Sequence, residues 1–137
     1  MTSPAAARGL LDTSVVIALE QIAPERLPEE ATISSITLAE LAAGPHATDD
    51  DDERARRQDR LQQIESLMES LPFDAAAARA YGRVYAATRS AGRKPRGARV
   101  VDLLIASVAL AHGLPLFTRN PDDFDHLREM GLDLRAV

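Results

Sequence analysis

The sequence contains no cysteine, which excludes disulfides, thiolate nucleophiles and cysteine-ligated zinc or iron–sulfur sites together. Its three histidines, His46, His112 and His126, show no metal-ligand spacing. No apolar run approaches the roughly 20 residues that span a bilayer. The opening Met1–Arg8 carries no apolar stretch of signal-peptide length. These absences point to a cytoplasmic protein without membrane association. Lysine is nearly absent too: Lys94 stands against fifteen arginines. The remainder is ordinary for a globular chain, with 137 residues, 45% of them hydrophobic and 27% charged. That is enough for a single domain around one core, with residues 1–8 expected as a flexible arm.

The net charge of −5 weighs weakly against general polyanion binding, but the charge is unevenly spread. Asp49–Glu53 is an unbroken acidic run. Between Ala75 and Val101 there is no acid, while Arg79, Arg83, Arg89, Arg93, Lys94, Arg96 and Arg99 supply seven positive charges. Read structurally, this is a solvated helix face and a loop. Read functionally, it is a phosphate-tracking surface that leads into Asp102. An enzyme acting on nucleic acid needs arginines for the backbone beside carboxylates at the scissile phosphate.

The order of elements follows from periodicity and breakers. Gly9 to Asp12 reads as a short buried strand, followed by a helix from Thr13 to about Gln21 that Asp12 or Thr13 would cap. Glu20 to Glu30, with Pro24 and Pro28, reads as a loop. Ala31–Ser34 is a second β-branched strand. A helix starts at Ser35 or Thr37 and ends at Gly44-Pro45. From about Asp52, the series Ala55, Leu61, Ile64, Leu67, Met68, Leu71 has helical spacing up to Pro72. Asp74 is placed as the N-cap of a helix to about Ser90, broken by Ala91–Gly97. Arg99–His112 is a nearly all-apolar helix with Gly113 as its C′ residue. Leu114–Thr118 is a strand, Pro121–Glu129 a loop with a short helix, and Leu132–Leu134 a final edge strand. Strands alternating with helices predict a three-layer α/β/α sandwich with a short-stranded, mainly parallel central sheet.

Three acids lie among apolar neighbours. Asp12 follows the first strand directly, the edge where open α/β sheets place ligands, or else it caps the next helix. Glu40, in Ile36-Thr-Leu-Ala-Glu-Leu-Ala-Ala43, has apolar flanks and no basic residue within four positions. It lies too far into its helix to be a cap, and the alternative is a solvent-facing position. Asp102 sits in Val100-Val-Asp-Leu-Leu-Ile-Ala-Ser-Val-Ala-Leu110, a helix apolar on every side, where an uncompensated carboxylate is disfavoured. Three arrangements would compensate it: an N-cap to Leu104 and Ile105, a pair with Arg99, or a cation in a cleft. With parallel strands all three acids come to one end of the sheet. Carboxylates converging there raise one another's pKa unless a cation is bound, and Mg²⁺, with Mn²⁺ as a substitute, suits an all-oxygen set.

The blocks Leu-Leu-Asp12-Thr-Ser-Val, Ser34-Ser-Ile-Thr-Leu-Ala-Glu40-Leu, Asp102-Leu-Leu-Ile-Ala-Ser and Leu116-Phe-Thr-Arg-Asn-Pro-Asp-Asp-Phe124 resemble the PIN-domain family. More narrowly, they resemble the VapC-type ribonuclease toxins of toxin–antitoxin pairs, from about residue 9 to 134. The resemblance implies an acidic site of Asp12, Glu40 and Asp102, with Asp12 and Asp102 as direct magnesium ligands. It also implies an RNA substrate, a homodimer and a cognate antitoxin. In the fourth block many relatives carry an acid where this chain has Asn120. Asn120 can still donate a carbonyl oxygen or hydrogen-bond a metal-bound water, and Asp122 or Asp123 can supply the fourth negative charge, Asp123 being preferred, unless either caps the short helix at Phe124. Thr118 and Ser14 resemble hydroxyl positions that orient carboxylates or water, and strand-end or cap duty accounts for them equally. Tyr81 and Tyr85, one turn apart, are expected as core or dimer contacts rather than base-stacking platforms.

Two other classes compete. A phosphotransfer or phosphatase-like α/β domain would use Asp12 as acceptor, but it would want a second acid beside Asp12 and a lysine at a later strand end. Here Thr13 and Ser14 follow Asp12, and Lys94 lies in a Gly/Pro loop. A non-catalytic binding module would leave the acids as caps and solvated faces.

Overall fold

The structure, a computed structural model, describes residues 6–137. Its five strands are β1 (Arg8–Leu11), β2 (Glu30–Ser34), β3 (Glu69–Leu71), β4 (Leu116–Thr118) and β5 (Leu134–Ala136), all paired in parallel in the order β3-β2-β1-β4-β5. Five α-helices accompany them: α1 (Thr13–Ile17), α2 (Ser35–Ala43), α3 (Asp51–Leu67), α4 (Ala75–Ser90) and α5 (Arg99–His112). The alternation along β1 and β4 divides the core between two faces. Leu10 and Leu116 point into a cluster with Val84, Leu103, Ile105 and Leu127, while Leu11 and Phe117 point into another with Val15, Val16, Leu41 and Ile64. This is the expected three-layer α/β/α arrangement.

The chain builds outward from β1 through β2 to β3, then returns to lay β4 and β5 on β1's other side. β1 and β4 therefore flank the topological switch point, and the crevice beyond their carboxyl ends is where such sheets bind ligands.

Several boundaries differ from the sequence reading. The helix expected to run to Pro72 ends at Leu67, and residues 69–71 form the edge strand β3, with Thr32 opposite Glu69 and Ser34 opposite Leu71. The apolar positions there fit either period, and pairing with β2 decides: Leu71 is buried, whereas Leu67, on the supposed apolar stripe, is 72% exposed. The first helix is shorter than expected, with α1 giving way to a 3-10 turn at Leu19–Gln21. The last strand lies two residues later than expected, because Gly131 turns with φ 103° and sends Leu132 into the core first. Of the expected flexible arm, residues 1–5 lie outside the described residues. Ala6 to Arg8 are not loose: Ala6 and Ala7 accept backbone hydrogen bonds from Glu29 and Glu30, and Arg8 bonds Glu69 at 2.9 Å.

Gly9 has no room for a side chain. A Cβ there would stand 2.5 Å from Cε1 of the buried Phe117 ring, which fills the neighbouring strand. Gly9→Ala is therefore expected to destabilise the fold by about 1–3 kcal/mol through overpacking. Chemical denaturation of the two proteins checks this, and an unchanged midpoint would contradict the packing described.

Candidate active site

Asp12 leaves β1 with φ −77° and ψ 172° and is the N-cap of α1, its Oδ1 accepting from Val15 N at 3.2 Å. The Ser14 hydroxyl donates to the same oxygen at 2.5 Å, and Thr118, the last residue of β4, donates to Oδ2 at 2.6 Å. The cap and site readings thus describe one carboxylate. Only 3% of Asp12 is exposed. Burial pushes its pKa up, opposed by the Ser14 and Thr118 hydroxyls and the nearby backbone N–H groups. A carboxylate offers about four lone-pair directions, and these hydrogen bonds occupy three. Asp12 is immobilised with capacity left for one more partner. Thr118 also accepts from Asn120 N at 3.0 Å, and Ser14 from Arg119 N at 3.1 Å, so both hydroxyls tie the chain after β4 to the chain after β1.

Glu40 lies on the exposed side of α2 and faces the same region. Thr13 donates to its Oε1 at 2.5 Å. Having spent its one proton there, Thr13 accepts from Thr37 at 3.1 Å, and Thr37 in turn lies 3.4 Å from Ser34, the N-cap of α2, whose Oγ accepts from Thr37 N. A chain of hydroxyls thus fixes a carboxylate that solvent would otherwise leave free. Sequence reasoning identified Glu40 but missed Thr13 and Thr37 as its supports. The signal was present in the hydroxyls one residue after Asp12 and three before Glu40, on the helix faces that the β1 and β2 ends bring together.

Asp102 stands in the first turn of α5, four residues after Ala98, which takes the N-cap position without a side-chain bond. The cap expectation for Asp102 is therefore wrong. The Arg99 pair does not form either: Arg99 donates instead to Lys94 O at 3.1 Å, and it lowers the Asp102 pKa only at a distance. Among the described residues Asp102 has no hydrogen bond or ion pair. Its pKa is pushed up to about 6, first by burial and then by the negative charges of Asp123, Asp12 and Glu40, in that order.

Of the candidates for the fourth position, Asp123 heads that order. Asp123, half-buried at the end of a 3-10 turn (Pro121–Asp123), is the strongest like charge on Asp102 and makes no capping bond. Asp122 and Asn120 are exposed; the first contributes its carbonyl to Arg93 at 2.8 Å, the second its N–H to Thr118. The four carboxylates interact without touching. Among the described residues no three of His, Asp or Glu stand in ready metal-holding geometry. The donors are all oxygens, matching a hard cation that keeps most of its waters and takes one or two carboxylates.

The raised pKa of Asp102 has a sign that can be tested. Below about pH 4 the group is neutral in folded and unfolded chains alike. As pH rises through 6 it must ionise among like charges in the fold, so stability is lost over that interval. In metal-free buffer at pH 7, Asp102→Asn is expected to raise the thermal midpoint by about 3–6 °C, with the gain vanishing near pH 4. Differential scanning calorimetry at the two pH values checks this, and a lowered midpoint at pH 7 would contradict it.

Comparison with known proteins identifies the family. Residues 9–130 match the PIN domain family. The chain is 40% identical over 126 residues to Ribonuclease VapC5 of Mycobacterium tuberculosis, covering 90% of this chain and 88% of that protein. It is 30% identical over 129 residues to Ribonuclease VapC of Rickettsia bellii, covering 88% and 91%. The fold superposes on the VapBC-5 toxin–antitoxin structure from Mycobacterium tuberculosis with TM-score 0.81 and 37% identity, covering 96% of this chain and 98% of that one. The DNA-bound VapBC structure from Salmonella typhimurium gives TM-score 0.75 and 29% identity, with 94% and 97% covered. A sheet switch point ringed by carboxylates, a family match across nearly the whole chain and relatives similar from end to end lead to one conclusion: the chain belongs to the PIN-domain family and, within it, to the VapC ribonucleases.

Proposed function

We propose that this chain is the toxin of a type II toxin–antitoxin module: a Mg²⁺-dependent endoribonuclease, built as a single PIN-like domain, that hydrolyses RNA phosphodiester bonds and is neutralised by a cognate antitoxin. The observation that carries this reading is Asp102, half-buried with no hydrogen bond or ion pair among the described residues and under the negative charges of Asp123, Asp12 and Glu40. An enzyme gains nothing in stability from such a cluster; a cation and a phosphate give it a purpose. The relatives named as ribonucleases and the VapBC assemblies among the structural neighbours support the RNA substrate and the antitoxin. No helix among the described residues is long and apolar enough to cross a membrane. We place the enzyme in the cytoplasm as a homodimer.

Asp12 and Asp102 would hold Mg²⁺, with Mn²⁺ able to replace it. When bound, the ion supplies Lewis-acid polarisation of the phosphoryl oxygen and a water of lowered pKa. The chain supplies the rest. Ser14, Thr118 and Val15 N fix Asp12 so that it needs no reorganisation as the reaction proceeds. Thr13 aims Glu40, which orients the attacking water from the solvent side. Asp123 completes the negative ring opposite Asp102. Cations of the acid-free span hold the RNA backbone against the repulsion that these carboxylates exert.

The test is cleavage of single-stranded RNA by purified protein. With Mg²⁺ present, Asp12→Ala is expected to reduce the rate at least about 100-fold, the scale of losing one preorganised electrostatic group. A chelator should abolish cleavage by the unaltered chain, and Mg²⁺ or Mn²⁺ should restore it. Equal cleavage by both proteins, or cleavage that survives the chelator, would refute the proposal.

A further inference from the structure

The charges of α3 and of the α4–α5 span have different fates. On α3, Arg54, Arg56 and Arg57 pair with Asp50, Asp51 and Glu53, so acidic run and basic run neutralise each other. Among the described residues none of the seven cations between Ala75 and Val101 has an ion pair. Arg89, Lys94 and Arg96 of that set, with Tyr85 and Pro95, line an open hollow of about 290 Å³. Two larger hollows, beside α1 and α3, include Glu20 and Asp59 in one and Glu40 and Glu53 in the other. This one contains no acid.

We propose that this hollow is a nucleotide subsite for the substrate strand, in which the Tyr85 ring stacks on an unpaired base while Arg89, Lys94 and Arg96 hold adjacent phosphates. The proposal rests on the ribonuclease reading above and adds to it the place where the RNA is gripped. Tyr85 is 41% exposed and so is not a core residue of the single chain, whereas Tyr81 packs onto the core. The two rings lie 6.2 Å apart at 58°, so the anchored ring backs the exposed one and limits its freedom. An aromatic platform held in place beside unneutralised cations is how proteins grip single strands, whose bases present a π-face whatever their identity.

The loop carrying Lys94 and Arg96 is fixed by its own hydrogen bonds. Gly92 turns with φ 75°, Arg93 N donates to Thr88 O at 3.1 Å, and the Lys94 carbonyl accepts from Arg96 N and from Arg99. The same loop reaches the carboxylates: Arg93 donates to Asp122 O at 2.8 Å, one residue before Asp123. The loop that lines the hollow thus touches the turn that carries Asp123. A second copy of this chain is a poorer occupant, because a two-fold contact would set the same three cations against their own duplicates.

Binding of a fluorescent eight-nucleotide single-stranded RNA, measured by anisotropy on the inactive Asp12→Ala chain, tests the proposal. Adding Tyr85→Ala is expected to weaken binding about 5- to 50-fold, while Tyr85→Phe retains affinity. Adding Lys94→Ala or Arg96→Ala should each lower the slope of log affinity against log salt by about 0.7. Unchanged affinity and slope in a chain that still binds RNA overturn this subsite and leave the ribonuclease reading intact. A Tyr85→Ala change that alters only the sedimentation mass, with affinity per protomer unchanged, assigns the face to a second copy and also overturns it. If the Asp12→Ala chain binds no RNA while the otherwise unaltered chain cleaves none, both readings fall together.

Discussion

The structure turns on a repulsion that it does not relieve internally. Four carboxylates from four separate stretches of chain are held near one another at the carboxyl edge of a parallel sheet, and one of them, Asp102, is left half-buried with no hydrogen bond among the described residues. Folding alone would favour an asparagine or an arginine partner there. The surrounding network instead enforces the convergence. Thr118 on β4 locks Asp12 after β1, Thr13 locks Glu40 on α2, and the start of α5 carries Asp102 into the gap. The Asp12 contact joins the two strands of the switch point and the Glu40 contact joins the helices that follow β1 and β2, so the sheet order and the chemistry have a common origin.

The same constraint explains how the rest of the chain is spent. The two apolar clusters on either face of the sheet hold strands of only three to five residues, and they do so with close packing, as the Phe117 ring over Gly9 shows. Rigidity there is what allows carboxylates to be held near each other, because a pliable core would let them drift apart. Charge is segregated in parallel. Asp50, Asp51 and Glu53 of the acidic run pair with arginines of the following helix, while the cations of the acid-free span have no ion pair among the described residues.

Much of this was legible in the sequence. Asp12, Glu40 and Asp102 stood out because of their apolar neighbours, and periodicity located all five α-helices closely enough to place the acids at one edge. What was hidden depended on tertiary contact. β3 shares its apolar positions with the end of α3, so only pairing with β2 separates them. The supports of Glu40 are common hydroxyl residues whose role exists only once α1 and α2 meet. Asp102 looked equally like a cap, and the difference is one turn of helix start. Helical spacing groups Tyr85 with Tyr81, and only the fold separates them, Tyr81 packing onto the core and Tyr85 standing exposed.

The central claim is that Asp102 ionises against its neighbours and that a divalent cation reverses this. Carbon-13 NMR titration of the side-chain carboxyls, assigned with the Asp102→Asn chain, measures it directly. The account predicts an Asp102 pKa of about 6 in metal-free buffer, falling when Mg²⁺ is added. A pKa near the ordinary value of about 3.9, unmoved by Mg²⁺, would contradict it.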